Sequence, residues 1–278
     1  IEKSTSSFKE IVGQKKAISM LINMVDKMNE LKPNQQNNNV PKGILLSGSP
    51  GTGKTHLARA VANRYRGVFI QVNASELTIG DADKNIKALF DTAQKYAPSI
   101  IFIDEIETIT ATRQSGKLGH NLMVNSILTR LDGFDQSSSQ VVVIGATNNH
   151  NVIDPAVTRP GRLAQLIELS YPREDEICSY ISGILALENI TELSDNFKKD
   201  ISQQLSGLPV LSVEKVLNNA FNNITNLNTP TEQAISEALI NCLAGDIDVN
   251  NIRHQDDEIS IAYHEAGHAL AIAMLFSS

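Results

Sequence analysis

The segment Gly48-Ser49-Pro50-Gly51-Thr52-Gly53-Lys54-Thr55 constrains the fold more than any other part of the chain. It matches the pattern G-x-x-x-x-G-K-[ST], in which a glycine-rich turn joins a strand to a helix. The glycines let consecutive backbone N–H groups face phosphate oxygens, and the helix N-terminus adds partial positive charge. Lys54 is predicted to reach the β- and γ-phosphates, and the Thr55 hydroxyl is predicted to bind Mg²⁺. A turn without a ligand is the alternative, disfavoured because strand, loop and helix follow in the required order.

Short apolar runs typical of buried strands alternate with helical segments in the first part of the chain. Between two of these runs, Ile86, Phe90 and Ala93 keep one helical face apolar until Pro98 stops the helix. This alternation predicts an α/β fold, a P-loop parallel sheet covered by helices on both faces. The predicted strands are Gly43–Ser47, Val68–Val72, Ile100–Ile103, Val141–Gly145 and Leu166–Leu169.

Strand signals stop near Tyr171, and helical periodicity follows. The clearest later helix is predicted to start at Thr229-Pro230-Thr231-Glu232, a capping box with proline at the first helical position. We therefore divide the chain into an α/β nucleotide-binding domain over 1–170, an all-helical subdomain over 171–246, and a linker with the start of a further domain over 247–278.

Two carboxylates follow the predicted strand Ile100–Ile103, at the sheet edge where open α/β folds bind ligands. Asp104 is predicted to hold Mg²⁺, and Glu105 to orient and deprotonate an attacking water. A solvated strand end with two acids is the alternative. Asn148 follows the next strand and could hydrogen-bond that water or the γ-phosphate.

Arg159 and Arg162 bracket a rigid Pro-Gly turn after these elements. Arginines in this position could stabilise the charge on a transferring phosphoryl group. Taken alone, an exposed pair of salt-bridging arginines would be the better interpretation. Their place after the other nucleotide-site elements favours the catalytic role.

Together these motifs resemble those of an AAA ATPase module, and the likeness is greatest to the FtsH-type ATP-dependent zinc metalloproteases. The resemblance covers nearly the whole chain in the same order, and it includes two further segments, Leu131-Asp132-Gly133-Phe134 and Gly145-Ala146-Thr147-Asn148. It implies a hexameric ring of identical chains that hydrolyses ATP, with Arg159 and Arg162 reaching the ATP of the neighbouring subunit. Asp132-Gly133-Phe134 would signal nucleotide state between subunits.

The resemblance also implies that Val12 and Gly13 lie against the adenine. The expected ATP-contacting residues are then Val12, Gly13, Ser49, Pro50, Gly51, Thr52, Gly53, Lys54, Thr55 and His56.

Two segments depart from the family pattern. The family usually has an aromatic–hydrophobic–glycine loop that grips polypeptide in the central pore, and here Thr78 stands in the aromatic position before Ile79-Gly80. The predicted consequence is weak or substrate-restricted unfolding. In the helical subdomain, Gly207-Leu208-Pro209-Val210-Leu211-Ser212 replaces the usual Gly-Phe-Ser-Gly-Ala-Asp, and Ser212 is predicted to cap the next helix.

The segment His264-Glu265-Ala266-Gly267-His268 lies in a predicted helix near the end of the sequence. Histidines four residues apart share a helix face and can both bind Zn²⁺, and Glu265 would act as general base for a metal-bound water. A noncatalytic histidine pair is the alternative. The resemblance implies a third zinc ligand, an Asp further along than Ser278, so we expect the sequence to be a piece of a longer protein.

The longest apolar run, residues 269–276, is far shorter than the ~20 residues of a membrane helix. We therefore expect the chain as given to be soluble and any membrane anchor to lie outside it. The resemblance implies a membrane-associated full-length protein, with the ATPase on the cytosolic, or organelle matrix or stromal, side. Cys178 and Cys242 without CxxC spacing fit a reducing compartment.

The sequence has 24 Lys and Arg against 31 Asp and Glu, a net charge of −7, without a long basic block. This balance argues against a nucleic-acid partner. The predicted function is ATP hydrolysis coupled to unfolding and translocation of polypeptide substrates for zinc-dependent proteolysis. A non-proteolytic remodelling or assembly factor is the alternative, and a nucleotide-binding scaffold without turnover is disfavoured because every hydrolytic residue type is present.

Overall fold

The computed structural model describes residues 8, 11–31, 40–111, 118–133, 140–187, 193–224, 232, 235, 236, 239 and 240. Several predicted features lie outside these residues: Phe134, the capping-box start at 229–231, and everything after residue 240, including His264, Glu265 and His268.

The centre of the molecule is a five-stranded parallel sheet with the order β2-β3-β4-β1-β5. The bounds of the strands are β1 Gly43–Ser47, β2 Val68–Asn73, β3 Ser99–Asp104, β4 Val141–Thr147 and β5 Gln165–Glu168. All five predicted strands are confirmed to within two residues at each end. Because β3, β4 and β1 are neighbours and run parallel, their carboxyl ends meet at one edge of the sheet.

Helices connect these strands and continue after them. Their bounds are α1 Lys15–Glu30, α2 Lys54–Arg64, α3 Ala74–Leu77, α4 Ala82–Lys95, α5 Glu107–Thr110, α6 Leu118–Gly133, α7 Glu174–Leu187, α8 Asp195–Leu205 and α9 Val210–Ile224. None of the helices within the described ranges is long and apolar enough to span a membrane.

Apolar side chains on the two faces of the sheet form two separate clusters. Ile44, Leu46 and Phe102 pack towards α1 and α2, whereas Leu45 and Ile101 pack towards α4 and α6. Alternate residues of a strand face opposite sides, so a strand that is buried on both faces must be apolar throughout. This explains the continuous apolar runs of β1, β3 and β4.

The prediction of full burial is wrong for the two outer strands. β2 is mostly half-buried, and in β5 Leu166 is 41% exposed. Both strands lie at the edges of the sheet, where one side has no neighbouring strand in the described part of the chain.

A third apolar cluster joins α7, α8 and α9, as the helical periodicity after residue 171 predicts. Ile177, Ile181 and Leu205 are among its buried members. Val12 also belongs to this cluster, although it precedes α1 in the sequence. The amino-terminal segment therefore packs against the helical part, called the lid below.

The predicted cap of the lid helix is wrong. Helix α9 begins at Val210, so Ser212 lies inside its first turn, where its backbone N–H donates to the Pro209 carbonyl at 2.9 Å. Proline is favoured just before or at the first helical turn because it lacks the N–H that would remain unpaired there. Pro209 therefore starts this helix three residues earlier than expected.

Candidate nucleotide and magnesium site

The glycine-rich turn between β1 and α2 adopts a conformation that needs glycine. Gly51 has φ +80° and Gly53 has φ +93°, both in the left-handed region that side chains disfavour. Gly53 immediately precedes α2, so its backbone leads directly into the positive end of that helix. The turn can thus present backbone N–H groups to an anion at the helix N-terminus.

Lys54 is almost buried at the base of this turn. Its Nζ donates to the carbonyl oxygens of Gly48 at 2.5 Å and Ser49 at 3.0 Å. Burial lowers the pKa of the Lys54 ammonium, while the carboxylates of Asp104 and Glu107 oppose that change. The ammonium is held in the centre of the turn, where it can bind phosphate oxygens.

The two predicted magnesium ligands are in direct contact. The Thr55 hydroxyl donates to Asp104 Oδ2 at 2.8 Å, linking the first turn of α2 to the end of β3. Hydroxyl and carboxylate oxygens are hard donors that suit Mg²⁺, which also keeps water and phosphate ligands. The donor set therefore fits this metal. No group of three or more His, Cys, Asp or Glu residues forms another metal cluster in the part of the chain that is described.

Glu105 has an unusual backbone, with φ +52° in a residue that is not glycine. Its N–H donates to Asp104 Oδ1 at 3.0 Å, and its Oε2 accepts a hydrogen bond from Asn73 Nδ2 at 3.3 Å. Asn73 ends β2 and also caps α3, because its Oδ1 accepts from the Ser75 N–H at 2.9 Å. Sequence analysis missed Asn73, and a polar residue at the end of a neighbouring strand is the signal that could have identified it.

Asn148 is exposed directly after β4, at the same edge of the sheet as Asp104 and the start of the glycine-rich turn. Its backbone N–H donates to Glu107 Oε1 at 3.2 Å, which fixes the turn after the strand. Two residues further, His150 Nδ1 lies 3.1 Å from Ser47 Oγ. This contact ties the turn after β4 to the last residue of β1.

The two arginines occupy different environments. Arg162 makes a bidentate pair with Asp132, with Nε 2.7 Å from Oδ1 and Nη2 2.6 Å from Oδ2. Its Nη1 also donates to the Ala156 carbonyl. Arg159 is exposed and makes no side-chain hydrogen bond or ion pair with the described residues. Arg162 therefore fixes the turn to the end of α6, and Arg159 is the arginine that projects from it.

The lid lies directly over the glycine-rich turn. The Val210 N–H donates to the Gly51 carbonyl at 2.9 Å, and Tyr171 Oη donates to the Pro50 carbonyl at 3.3 Å. A Cβ atom placed on Gly51 would come within 2.7 Å of Pro209 Cβ. The start of α9 is thus packed against the turn without space between them.

Val12 and Gly13 pack against the lid. Val12 is fully buried, and its N–H donates to Glu214 Oε1 of α9 at 3.3 Å. Gly13 has φ +73°, and a Cβ atom there would lie 2.9 Å from Glu176 Oε2. His56, in the first turn of α2, has its Nδ1 3.4 Å from Glu214 Oε2. Sequence analysis missed Glu214, which interrupts the apolar stripe of Val210, Val213 and Leu217.

Comparison with known proteins agrees with this geometry. Residues 44–171 match the family described as "ATPase family associated with various cellular activities (AAA)". Over 97% of its length the chain is 34% identical to a protein of Mycoplasmopsis pulmonis and 35% identical to one of Mycoplasma genitalium, and it covers 38% and 40% of those two proteins. A relative in Lactococcus lactis is 33% identical over 95% of the chain, which covers 39% of it. All three are named "ATP-dependent zinc metalloprotease FtsH", and the chain spans about two fifths of their length.

Proposed function

Because the chain belongs to the AAA ATPase family, as an FtsH-type member, we propose that it binds ATP with Mg²⁺ and hydrolyses it to ADP and phosphate. The observation that carries this proposal is the contact between the Thr55 hydroxyl and Asp104 Oδ2, directly beside the Lys54 ammonium in the glycine-rich turn. The proposed magnesium-binding pair and the proposed phosphate-binding cation therefore lie at the same edge of the sheet, as phosphoryl transfer requires.

The residues of the turn would hold the triphosphate. Backbone N–H groups of Ser49, Gly51, Thr52 and Gly53 would surround it together with Pro50, which has no N–H, and Lys54 would bind the β- and γ-phosphate oxygens. Thr55 and Asp104 would hold Mg²⁺, which neutralises charge on the β- and γ-phosphates. Val12 and Gly13 on the lid side, and His56 in the first turn of α2, complete the proposed nucleotide-contacting set.

Glu105 is the proposed general base. Its carboxylate accepts a proton from the water that attacks the γ-phosphate, and Asn148 orients this water or the phosphate from the neighbouring strand end. Asn73 already donates to Glu105 in the structure, so it can direct the carboxylate. The bond between the γ-phosphorus and the β–γ bridging oxygen would break as the water oxygen bonds to phosphorus, so that ADP and inorganic phosphate are the products. The proton taken from water would stay on Glu105 until it is released to solvent.

We assign different roles to the two arginines. Arg159 projects from its turn and would stabilise the transferring phosphoryl group of a neighbouring subunit. Arg162 would hold that turn in place through its pair with Asp132. This division requires a ring of identical chains, which we propose to be hexameric on the family resemblance.

The same geometry supports a link between hydrolysis and polypeptide substrates. Asn73 contacts Glu105 and also caps α3, and α3 leads to a loop whose tip carries Ile79, 73% exposed, beside Gly80. A change at Glu105 can therefore reach this loop through one short helix. We propose that the loop faces the central pore and contacts unfolded chains, with Thr78 making a weaker contact than an aromatic residue would.

For the whole protein we propose zinc-dependent proteolysis at the membrane. His264 and His268 would bind Zn²⁺ and Glu265 would act as general base, on residue type and spacing alone. The arrangement would be the ATPase domain over 1–170, the lid over 171–246 and the start of the peptidase domain over 247–278, on the cytosolic, matrix or stromal side. A remodelling factor without proteolysis is the second candidate, favoured by Thr78 in the proposed pore loop.

Phosphate release by wild type, Lys54→Ala and Glu105→Gln tests the ATPase. We expect Lys54→Ala to bind ATP poorly, whereas Glu105→Gln binds ATP but hydrolyses it at least about 100-fold more slowly. Lys87→Ala and Asp91→Asn, exposed changes on α4, are the matched controls and should hydrolyse at the wild-type rate. Equal rates in all five proteins would refute the proposal.

Casein degradation separates the two candidate functions of the whole protein. The full-length protein should degrade casein with ATP, lose this activity when zinc is removed, and regain it when zinc is restored. ATP hydrolysis without zinc-dependent degradation would favour the remodelling factor instead.

A further inference from the structure

Glu214 is a buried carboxylate that the proposed hydrolysis does not use. It lies in α9, 8% exposed, between the buried apolar residues Val213 and Leu217. A charged group at such a position is unfavourable unless specific partners compensate its loss of water. The groups that contact Glu214 therefore indicate what this buried carboxylate does.

Each oxygen of this carboxylate faces a different segment. Oε1 accepts a hydrogen bond from the Val12 N–H at 3.3 Å, and Oε2 lies 3.4 Å from His56 Nδ1. The His56 contact is close enough for an ion pair but does not reach hydrogen-bond geometry, and Nδ1 is buried without a hydrogen bond among the described residues. The Val12 contact is a hydrogen bond, whereas the His56 contact falls just short of one.

These two partners belong to two different segments of the proposed ATP site. Val12 belongs to the segment proposed to face adenine, and His56 follows Thr55 in the first turn of α2, at the phosphate end. Helix α9 also contacts the phosphate-binding turn through the Val210 N–H and the Gly51 carbonyl. A small movement of α9 would therefore change the contacts of Glu214 with Val12 and with His56 at the same time.

We propose that Glu214 is a positioning residue that fastens the lid over bound nucleotide, with His56 as its partner on the phosphate side. In the closed site the His56 Nδ1–H donates to Glu214 Oε2 while the Val12 N–H stays on Oε1. The pair stabilises the lid position in which nucleotide is enclosed and so raises nucleotide affinity. This inference rests on the proposed ATP site and assigns it a residue outside the family motifs quoted above.

The test measures binding of a fluorescent ADP analogue with Mg²⁺ to wild type, Glu214→Gln, His56→Leu and the double variant. Glutamine keeps an oxygen for the Val12 N–H and loses the charge beside His56. We expect each single variant to bind about tenfold more weakly, in line with the loss of one charge-assisted contact. The double variant should bind no more weakly than Glu214→Gln alone, because both changes remove the same contact.

Lys215→Gln, an exposed change at the next position of α9, is the matched control and should bind like wild type. Melting temperatures without nucleotide are measured for every variant, since a residue that only holds the fold would lower them and leave the affinity of the folded protein unchanged. That result, or additive losses in the double variant, would overturn the inference. Failure of wild type to bind the analogue would instead refute the proposed ATP site, and this inference with it.

Discussion

The phosphate side and the lid side of the candidate site are built in different ways. On the phosphate side, Lys54, Thr55 and Asp104 come from adjacent parts of one sheet edge, and their contacts are short. On the lid side, Val12 and Glu214 are 202 residues apart in sequence and meet at 3.3 Å. The phosphate side is therefore formed by the sheet and the start of α2. The lid side depends on how the segment of Val12, helix α9 and the first turn of α2 pack together. Changes on the phosphate side should abolish ATP hydrolysis, whereas changes on the lid side should weaken nucleotide binding.

The largest effect is expected at Arg159, the residue proposed to act on the phosphate side of a neighbouring subunit. Arg159→Ala should lower ATP hydrolysis at least about 1000-fold with little change in ATP binding. Mixing Arg159→Ala with Lys54→Ala should restore part of the phosphate release, because the second variant supplies Arg159 to the intact site of the first. An inactive mixture, at concentrations where both variants assemble, would contradict action between subunits.

Gly51→Ala tests the junction between the two sides. The left-handed backbone at Gly51 should cost about 1–2 kcal/mol, and the new methyl group would collide with Pro209. We expect ATP affinity to fall more than tenfold while the sheet remains folded, as judged by circular dichroism. Gly183→Ala in α7, where an added Cβ meets no atom within 4 Å, is the control and should keep wild-type affinity.

Val210→Ala sharpens the comparison on the lid side alone. Val210 is fully buried, so loss of two methyl groups should destabilise the protein by about 2 kcal/mol in urea unfolding. Because the backbone N–H to Gly51 remains, hydrolysis per bound ATP should stay close to wild type while KM rises. A fall in kcat with an unchanged KM would contradict the separation of the two sides.

The smallest effect is expected at Asp132. The Arg162 hydrogen bonds lower the pKa of the Asp132 carboxyl below its ordinary value, so its contribution to stability is present above about pH 4. That contribution is lost as pH falls through the lowered pKa. Asp132→Asn should destabilise the protein by less than about 1 kcal/mol at pH 7, since the carboxylate is more than half exposed. Thermal unfolding should show the difference from wild type vanish by about pH 2, and a difference that persists there would contradict this assignment.

The two sides also differ in how far sequence predicts them. The five strands, the helix face of Ile86, Phe90 and Ala93, and the turn from Gly48 follow from local pattern, because strand ends and glycine-rich turns have characteristic residue types. The contacts of Glu214 could not be predicted, since they depend on α9 packing against a segment 202 residues away. Ser212 was misplaced because Pro209 starts the helix earlier.

The arginine pair shows the same limit. Sequence places Arg159 and Arg162 on one turn and gives them one role, whereas the fold brings Asp132 from the end of α6 to Arg162 alone. Residue type could not separate the two arginines, because the distinction lies in a contact between segments 30 residues apart.

Because the backbone at Glu105 is left-handed, the residue type expected to favour activity at this position differs from the one expected to favour stability. Asparagine adopts this conformation more readily than glutamate, so the favourable substitution for the fold is one that removes the proposed base. Mutants selected only for resistance to heat should therefore drift towards inactivity at this position. Selection for turnover should favour the glutamate, and a library sorted for each property separately should show opposite preferences at this position.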